Sequence, residues 1–326
     1  MPELPEVQTT VLGLQKETAG WQIMDVWTDY GSAYHMGKDN IKDPKFFSVF
    51  KKEVVGTIIK EVSRKAKNII IHLSNDTCIL VHMKMTGHMM VGQYTFDDTK
   101  KKDPWTPADT SGALADPFNK FIHVTFTLSK KNGDTPKNIK VSKKNDGSEI
   151  KQLVLSDMRK FAKVTLISLA DLENSLHVSH IGPEPLEDSF TYEVFTKQIA
   201  KRSTGNIKTV LMDQSIIAGV GNIYSDEALW RAGINPEQKV KTIDQARLKK
   251  LYAAVKEVLN KGIDFGEDSM SDYRNIYGER GEFQAHHEAY RRTGKPCRKK
   301  GCGGTIQRKV VGGRSAHFCD RHQVLT

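Results

Sequence analysis

Apolar residues Val7, Val11 and Leu14, spaced four and three apart, predict an amphipathic helix over residues 4–18. Pro5 suits its first turn, where a missing N–H costs nothing, and Pro2 then lies just upstream, beside the positive end of the helix dipole. From about 21 to 167 the chain is strand-like. Ile69-Ile70-Ile71-His72-Leu73, the turn residues Ser74-Asn75-Asp76 and Cys78-Ile79-Leu80-Val81 predict a β-hairpin, and β-branched runs follow at 122–128 and 164–167. Residues 129–151 are polar, with seven Lys against three acids, and read as a solvated loop or long hairpin, with phosphate contact as the alternative. Gly182-Pro183-Glu184-Pro185 predicts a stiff interdomain linker. Beyond it the pattern turns helical. Over 244–261, Leu248, Leu251, Tyr252, Val255, Val258 and Leu259 form one stripe, with Asp244 capping its start and Gly262 its end. The layout is α+β: a β-rich domain over 1–181, a helical domain over 182–290 and a small Cys/His module over 291–326.

Composition narrows the class. A length of 326 residues fits two domains, and a hydrophobic content of 38% with mean hydropathy −0.49 describes a soluble globular chain. No apolar run approaches the roughly 18 residues a membrane helix needs. Glu3 and Glu6 stand where a signal peptide would begin, so an intracellular protein is expected. The net charge of +10 favours a polyanionic partner, for which nucleic acid is the usual intracellular choice; a merely solubilising basic surface is the alternative.

Two motifs carry chemistry. Cys297-x4-Cys302 and Cys319-x2-His322 supply four ligands suited to tetrahedral Zn²⁺. They flank Thr305–Val311, Gly312-Gly313 and Arg314–Phe318, a hairpin whose glycines permit a tight turn and whose tip would present Arg314. With no open coordination position the zinc is structural. Unligated thiols beside an incidental histidine are the alternative. At the other end, loss of Met1 from Met1-Pro2-Glu3-Leu4-Pro5-Glu6 would leave a secondary amine on Pro2, of pKa about 7.7–8.0, able to attack an electrophilic sugar carbon. Glu3 could shuttle protons. Taken alone, the same residues describe an ordinary helix start.

PELPEVQTT, AGVGNIYSDEALW at 218–230 and CRKKGCGGTIQRKVVGGRSAHFC at 297–319 together resemble the formamidopyrimidine-DNA glycosylase family, in the expected order from end to end. The resemblance implies an N-terminal β-sandwich with flanking helices, a helical domain with a helix–two-turn–helix motif, a zinc-binding β-hairpin and DNA in the cleft between domains. It implies that Pro2 attacks C1′ of the damaged nucleotide, that Glu3 handles protons with Glu6 in support, and that Lys67 contacts phosphate near the lesion. Met85, Arg159 and Phe161 would fill the space left by the extruded base, and Asn222 and Arg314 would bind phosphate. A wedge, a ring and a guanidinium suit that work, although Met85 and Phe161 would otherwise read as core and Arg159 as surface charge.

The chain departs from the family's Cys-x2-Cys spacing and closing cysteine, so His317 competes with His322 for the fourth zinc position. Residues 264–288 match the lesion-capping loop only partly; Gly278, Gly281 and Phe283 suggest a mobile, glycine-hinged lid. PELPEV favours the branch acting on oxidised purines (formamidopyrimidines, 8-oxoguanine) over the endonuclease VIII branch acting on oxidised pyrimidines. A non-catalytic zinc DNA-damage binder and an RNA-associated zinc protein remain as alternatives. The expected partner is double-stranded DNA with oxidised bases or abasic sites, bound by a monomer with Zn²⁺ as its only cofactor and no membrane. The location would be cytoplasmic and nucleoid-associated in a bacterium, or nuclear in a eukaryote.

Overall fold

The computed structural model describes residues 2–130, 142–143, 148–265 and 273–325. Most of the lysine-rich stretch, 131–141 and 144–147, lies outside them, as do 266–272 of the expected lid. Two compact units emerge. The first comprises Pro2, residues 6–175 and 273–281; the second comprises residues 3–5, 176–265 and 282–325.

The first unit holds most of α1 (Leu4–Thr18), then β1 (Gln22–Thr28), α2 (Pro44–Val54), β2 (Ile59–Lys65), β3 (Asn68–Leu73), β4 (Thr77–His82) and β5 (His88–Gly92). A short pair, β6 (Tyr94–Phe96) and β7 (Trp105–Pro107), precedes β8 (Ile122–Lys130), β9 (Ser142–Lys143), β10 (Glu149–Ser156) and β11 (Lys163–Ser168). One antiparallel sheet runs β1-β8-β10-β5, with β9 beside β10, and a second runs β11-β4-β3-β2. Val26, Phe126 and Leu153 from the first sheet share one core with Ile69, Ile71, Ile79 and Val81 from the second, and Val7, Val11 and Leu14 of α1 enter it at the spacing read from the sequence. This is the expected sandwich.

Helix α2 corrects the strand-like reading of 21–167. Asp43 caps it by accepting from Lys45 N at 2.9 Å, and Pro44 opens it. Phe50 and Val54, four apart, are its buried positions, with Phe46 and Phe47 packed against the same core.

Residues 273–283 also differ from the expected lid. Tyr273 donates to Glu6 O at 2.8 Å and bonds Thr10 Oγ1 at 2.7 Å. Arg274 is fully buried, and its Nη2 donates to both Asp116 oxygens at 3.1 Å. Ile276 lies in the core, and its carbonyl accepts from Val91 N at 2.8 Å. A Cβ on Gly278 would meet Ala113 O at 2.8 Å, so this glycine permits close approach, and Phe283 is core, stacked on Tyr224. The described part of the expected lid, from Tyr273 on, is thus packed against its own unit, and 266–272 lie outside the described residues.

His88 is buried beside this segment. The Asn119 amide nitrogen donates to two carbonyls, so its oxygen faces His88 Nε2 at 3.0 Å and the imidazole donates there in its neutral form. Burial holds its pKa down to about 4, and that of His82 to about 3. An unfolded histidine gains its proton near pH 6.5, whereas the folded rings resist. Their stabilisation is therefore intact above pH 6.5 and is lost on acidification towards 4, by roughly 3 kcal/mol for His88. Urea unfolding across that window should show the decline, and His88→Gln should flatten it; an unaltered slope would contradict this account.

The second unit contains α3 (Tyr192–Ala200), α4 (Ile207–Met212), α5 (Asn222–Ala232), α6 (Gln245–Asp264), β12 (Ile306–Val311) and β13 (Arg314–Cys319). Asp244 caps α6 by accepting from Arg247 N at 2.8 Å, and Leu248, Leu251, Val255, Val258 and Leu259 join its core. Gly262 lies inside α6 and does not end it. A Cβ there would overlap the Tyr224 hydroxyl, so the residue serves helix packing. The expected linker is likewise embedded in this unit: Gly182 N donates to Gln214 O at 2.8 Å, Pro183 O accepts from Ala218 N at 3.0 Å, and Glu184 is buried. Among the described residues no helix is long and apolar enough to cross a membrane.

Candidate active site and nucleic-acid interface

The start of the chain is locked onto the first turn of α5. Leu4 N donates to Gly219 O at 3.0 Å, and the buried Glu3 carboxylate accepts from Ile223 N at 2.9 Å and Tyr224 N at 3.4 Å. A helix N-terminus offers unpaired N–H groups and positive potential, and here an acid from a distant part of the sequence occupies it. Glycines make this possible. A Cβ on Gly219, whose φ is 78°, would overlap Leu4, and one on Gly221 would overlap the Glu3 carboxylate. Asn222, the first residue of α5, sits on the same turn, with its side-chain oxygen buried and unbonded among the described residues. Pro2, bonded directly to Glu3, is buried, as is Glu6 in α1.

Three of the sequence-derived residues converge within the first unit. Met85 follows β4, and Arg159 and Phe161 occupy the β10–β11 turn. Met85 is 36% and Phe161 47% exposed, and the Arg159 guanidinium lies 4.5 Å from the Phe161 ring centroid. The buried Asp157 ties the two segments together. It accepts from Thr86 Oγ1 at 2.5 Å, Ala162 N at 2.7 Å and Tyr30 OH at 3.3 Å, while Thr86 Oγ1 accepts from Arg159 N at 3.3 Å. Large apolar groups are thus held at the surface on a rigid polar base, which excludes the core reading of Met85 and Phe161. Lys67 belongs to the β2–β3 turn, where Ala66 has φ 53°, and is largely buried.

In the second unit, Gly312 and Gly313, at φ 57° and 75°, turn β12 into β13 and leave Arg314 exposed at the tip. A fully buried carboxylate joins this hairpin to α4 and α5. Asp226 Oδ1 accepts from Lys208 Nζ at 2.5 Å, and Oδ2 accepts from His317 N and faces His317 Nδ1, both at 2.9 Å. Lys208 Nζ also reaches Ser225 Oγ at 3.2 Å and Asn222 O at 3.4 Å. The joint fixes Asn222 and the arm of Arg314 in one frame.

Cys297, Cys302, Cys319 and His322 bring their ligand atoms within 4.8 Å of one another. Neighbouring pairs lie at 3.5 Å (Cys302–Cys319, Cys297–His322 and Cys302–His322), close to the edge of a zinc tetrahedron, about 3.5–3.8 Å. His322 Nε2 donates to Trp230 O at 3.0 Å, which leaves Nδ1 for the metal. His317 is engaged by Asp226, so His322 is the fourth member. Backbone donors Lys299 N and Arg321 N approach Cys297 and Cys319 Sγ at 3.5 and 3.4 Å and help to orient the two sulfurs.

Sequence reasoning did not single out Asp157, Thr86, Lys208, Asp226 or Glu227. Glu227 accepts from the backbones of Glu288, Ala289 and Tyr290 at 2.8, 2.9 and 2.8 Å and anchors the approach to the zinc module; burial pushes its carboxyl pKa up. A charged residue inside a helix or at a strand end carries no local sign that it will be buried. Asp157 alone was accessible, as the acid directly ahead of Met158-Arg159-Lys160-Phe161.

Comparison with known proteins gives first the class, that of DNA glycosylases with a helix–two-turn–helix module and a zinc finger. Residues 1–164 match the model for the formamidopyrimidine-DNA glycosylase N-terminal domain, 181–274 that for the formamidopyrimidine-DNA glycosylase H2TH domain, and 294–321 that for the zinc finger found in FPG and IleRS. The chain is 34% identical to the formamidopyrimidine-DNA glycosylase of Herpetosiphon aurantiacus, covering 98% of each, and 32% identical to that of Bacillus subtilis, covering 99% of each. Among solved structures, Lactococcus lactis Fpg bound to DNA containing an abasic site aligns at TM-score 0.75 with 29% identity over 97% of each chain. A MutM complex with DNA containing carbocyclic 8-oxo-G aligns at TM-score 0.74 with 30% identity. The chain belongs to the formamidopyrimidine-DNA glycosylase family. Its Cys₃His cluster holds one structural zinc.

Proposed function

We propose that this protein is a base-excision-repair DNA glycosylase and abasic-site lyase that removes oxidised purines, with Pro2 as nucleophile once Met1 has been cleaved. Its nitrogen lone pair forms a bond to C1′ as the C1′–base bond breaks, and the base leaves with a proton. Opening of the sugar gives an iminium between Pro2 and C1′. Proton abstraction at C2′ then expels the 3′-phosphate, and a second elimination expels the 5′-phosphate. Glu3 moves protons at the sugar, with Glu6 in support. Met85, Arg159 and Phe161 occupy the space of the everted nucleotide, and Lys67, Asn222 and Arg314 hold phosphates around it. The zinc shapes the hairpin and takes no part in the chemistry.

One observation carries the assignment: Glu3 is clamped to the first turn of α5 through a glycine run that has no room for a side chain. A merely structural helix start needs no such exclusion. Gly221→Ala would displace the carboxylate, and a misplacement of about 1 Å costs on the order of 100-fold in rate. Strand cleavage on an abasic duplex should fall accordingly; wild-type turnover in that variant would remove Glu3 from the mechanism. For substrate class, excision from 8-oxoguanine and thymine glycol duplexes should favour the former, and the reverse order would assign the chain to oxidised pyrimidines. The bacterial relatives favour a cytoplasmic site of action.

A further inference from the structure

A groove of about 360 Å³ opens on the second unit. The last turn of α5 supplies Trp230 and Arg231, α6 supplies Lys250, Ala253 and Glu257, and the loop between Cys297 and Cys302 supplies Lys299. Lys250, Ala253 and Glu257 are spaced three and four apart and so share one face of α6. The core positions Leu248, Leu251 and Val255 take another face. Ala253 and the buried Ala254 give the groove a floor without long side chains. Trp230 is a fixed wall, because its carbonyl accepts from His322 Nε2 at 3.0 Å and its ring packs against Cys297 and Cys302. This site is remote from the residues assigned to phosphate. Asn222 opens α5, nine residues and so roughly 13 Å before Arg231. Arg314 stands at the hairpin tip, five residues and roughly 17 Å from Cys319 at the base that Lys299 adjoins.

The walls lack negative charge and acceptors. Arg231 Nη1 donates to Glu257 Oε1 at 2.5 Å, and Lys261 Nζ lies 3.6 Å from the same oxygen, so that carboxylate is already shared. Lys250 and Lys299 are exposed and make no ion pair among the described residues. The indole N–H of Trp230 and the Nε–H of Arg231 are covered and find no acceptor among the described residues, whereas buried polar groups ordinarily have one. Lys299 also belongs to the part of the zinc module in which this chain departs from Cys-x2-Cys spacing. Arg298-Lys299-Lys300-Gly301 make that spacer two residues longer. A duplex presents a convex row of phosphates, which suits neither the concave alanine floor nor the carboxylate of Glu257. A peptide suits both: acidic side chains can meet the lysines, an apolar one the alanines and the indole, and its N–H groups the carboxylate.

We propose that this groove binds an acidic peptide segment of a partner protein, with Lys250 and Lys299 taking carboxylates on either side of the alanine floor. Occupation at this end of α5 leaves the first turn of the helix and the hairpin tip free for DNA.

The test is fluorescence anisotropy of a labelled hexapeptide, Glu-Leu-Glu-Leu-Glu-Leu, with the full-length protein, and of its Gln-Leu-Gln-Leu-Gln-Leu counterpart, between about 50 and 200 mM salt. Only the acidic peptide should bind saturably, and more weakly as salt rises. Lys250→Glu/Lys299→Glu should weaken it at least about tenfold, the value of one charge-assisted contact. That variant should keep the wild-type thermal midpoint and abasic-duplex cleavage, since both side chains are exposed and far from Asn222 and Arg314. Ala253→Trp, which fills the floor and keeps both lysines, should lose the peptide as well. Equal binding of the two peptides, wild-type affinity in either variant, or no saturable binding up to millimolar protein would overturn the proposal. A loss confined to duplex affinity in the double variant would overturn it too, by assigning the lysines to DNA.

Discussion

Replacing Asp226 with alanine is expected to cost about 3–5 kcal/mol of stability, because a buried cation would lose its counter-charge. Lys208 and Asp226 have no exposed side-chain surface, and their 2.5 Å contact is the only ion pair of this lysine among the described residues. The same carboxylate receives His317 N, so the zinc hairpin would lose its attachment to α5 together with the charge. DNA affinity should drop beyond what the unfolded fraction explains, since Lys208 also holds the backbone of Asn222. Asp226→Asn keeps an acceptor and should lose less. Chemical denaturation and binding on the folded fraction would check both parts. A stability loss below about 1 kcal/mol, the range of a surface pair, would mean that the joint is not what holds the hairpin.

Removal of zinc is the second large effect. The apolar cluster beside the metal ligands is small: Ala289, Ile306 and Cys319 are its buried members, with Trp230, Cys297 and Cys302 packed against them, and the hairpin beyond it buries only Val311, Ala316 and Phe318 among its described apolar residues. Such a core cannot hold a two-stranded sheet alone, and zinc-finger modules derive on the order of 10 kcal/mol from their metal. Chelation, or Cys302→Ser, should therefore release β12 and β13 while leaving the sandwich folded. Arg314 would lose its fixed place, and a charge-assisted contact of about 1.5–3 kcal/mol corresponds to about 10- to 100-fold in affinity. Hydrogen exchange should rise in 306–319 and not in β3 or β4, and DNA binding should return with Zn²⁺. Undiminished affinity in chelated protein would contradict the role given to the hairpin.

The legible parts of the chain were those whose signal is local. The three-and-four spacing of Val7, Val11 and Leu14, the hairpin around Ser74-Asn75-Asp76, and the stripe of α6 each state their period within a few residues, and the structure follows them. The zinc ligands were legible by spacing, with the choice of His322 over His317 left to tertiary contacts. Helix α2 was missed although Asp43-Pro44 and the phenylalanine spacing mark it, because its neighbours on both sides are strands. Glycines misled twice. Gly262 looked like a helix stop and Gly278 like a hinge, yet Gly262 clears space for the Tyr224 ring, and Gly278, at φ 82°, both turns the chain and admits Ala113 and Asn119. No local rule separates a glycine needed for its φ from one needed for its missing Cβ. Burial of Asp157 and Asp226 was equally invisible, since charged residues are ordinarily solvated. The N-terminal motif had a different limit: its residues spell a helix start, and only their resemblance to a family, and then the clamp on Glu3, gave them chemistry.

All of the proposed chemistry depends on the imino nitrogen of Pro2 reaching C1′. Incubation with an abasic duplex under borohydride, followed by proteolysis and mass spectrometry, reads that contact directly. The account predicts one reduced adduct on the N-terminal peptide at Pro2, absent when Met1 is retained and in Pro2→Gly. An adduct on a lysine instead, or none from active protein, would contradict it.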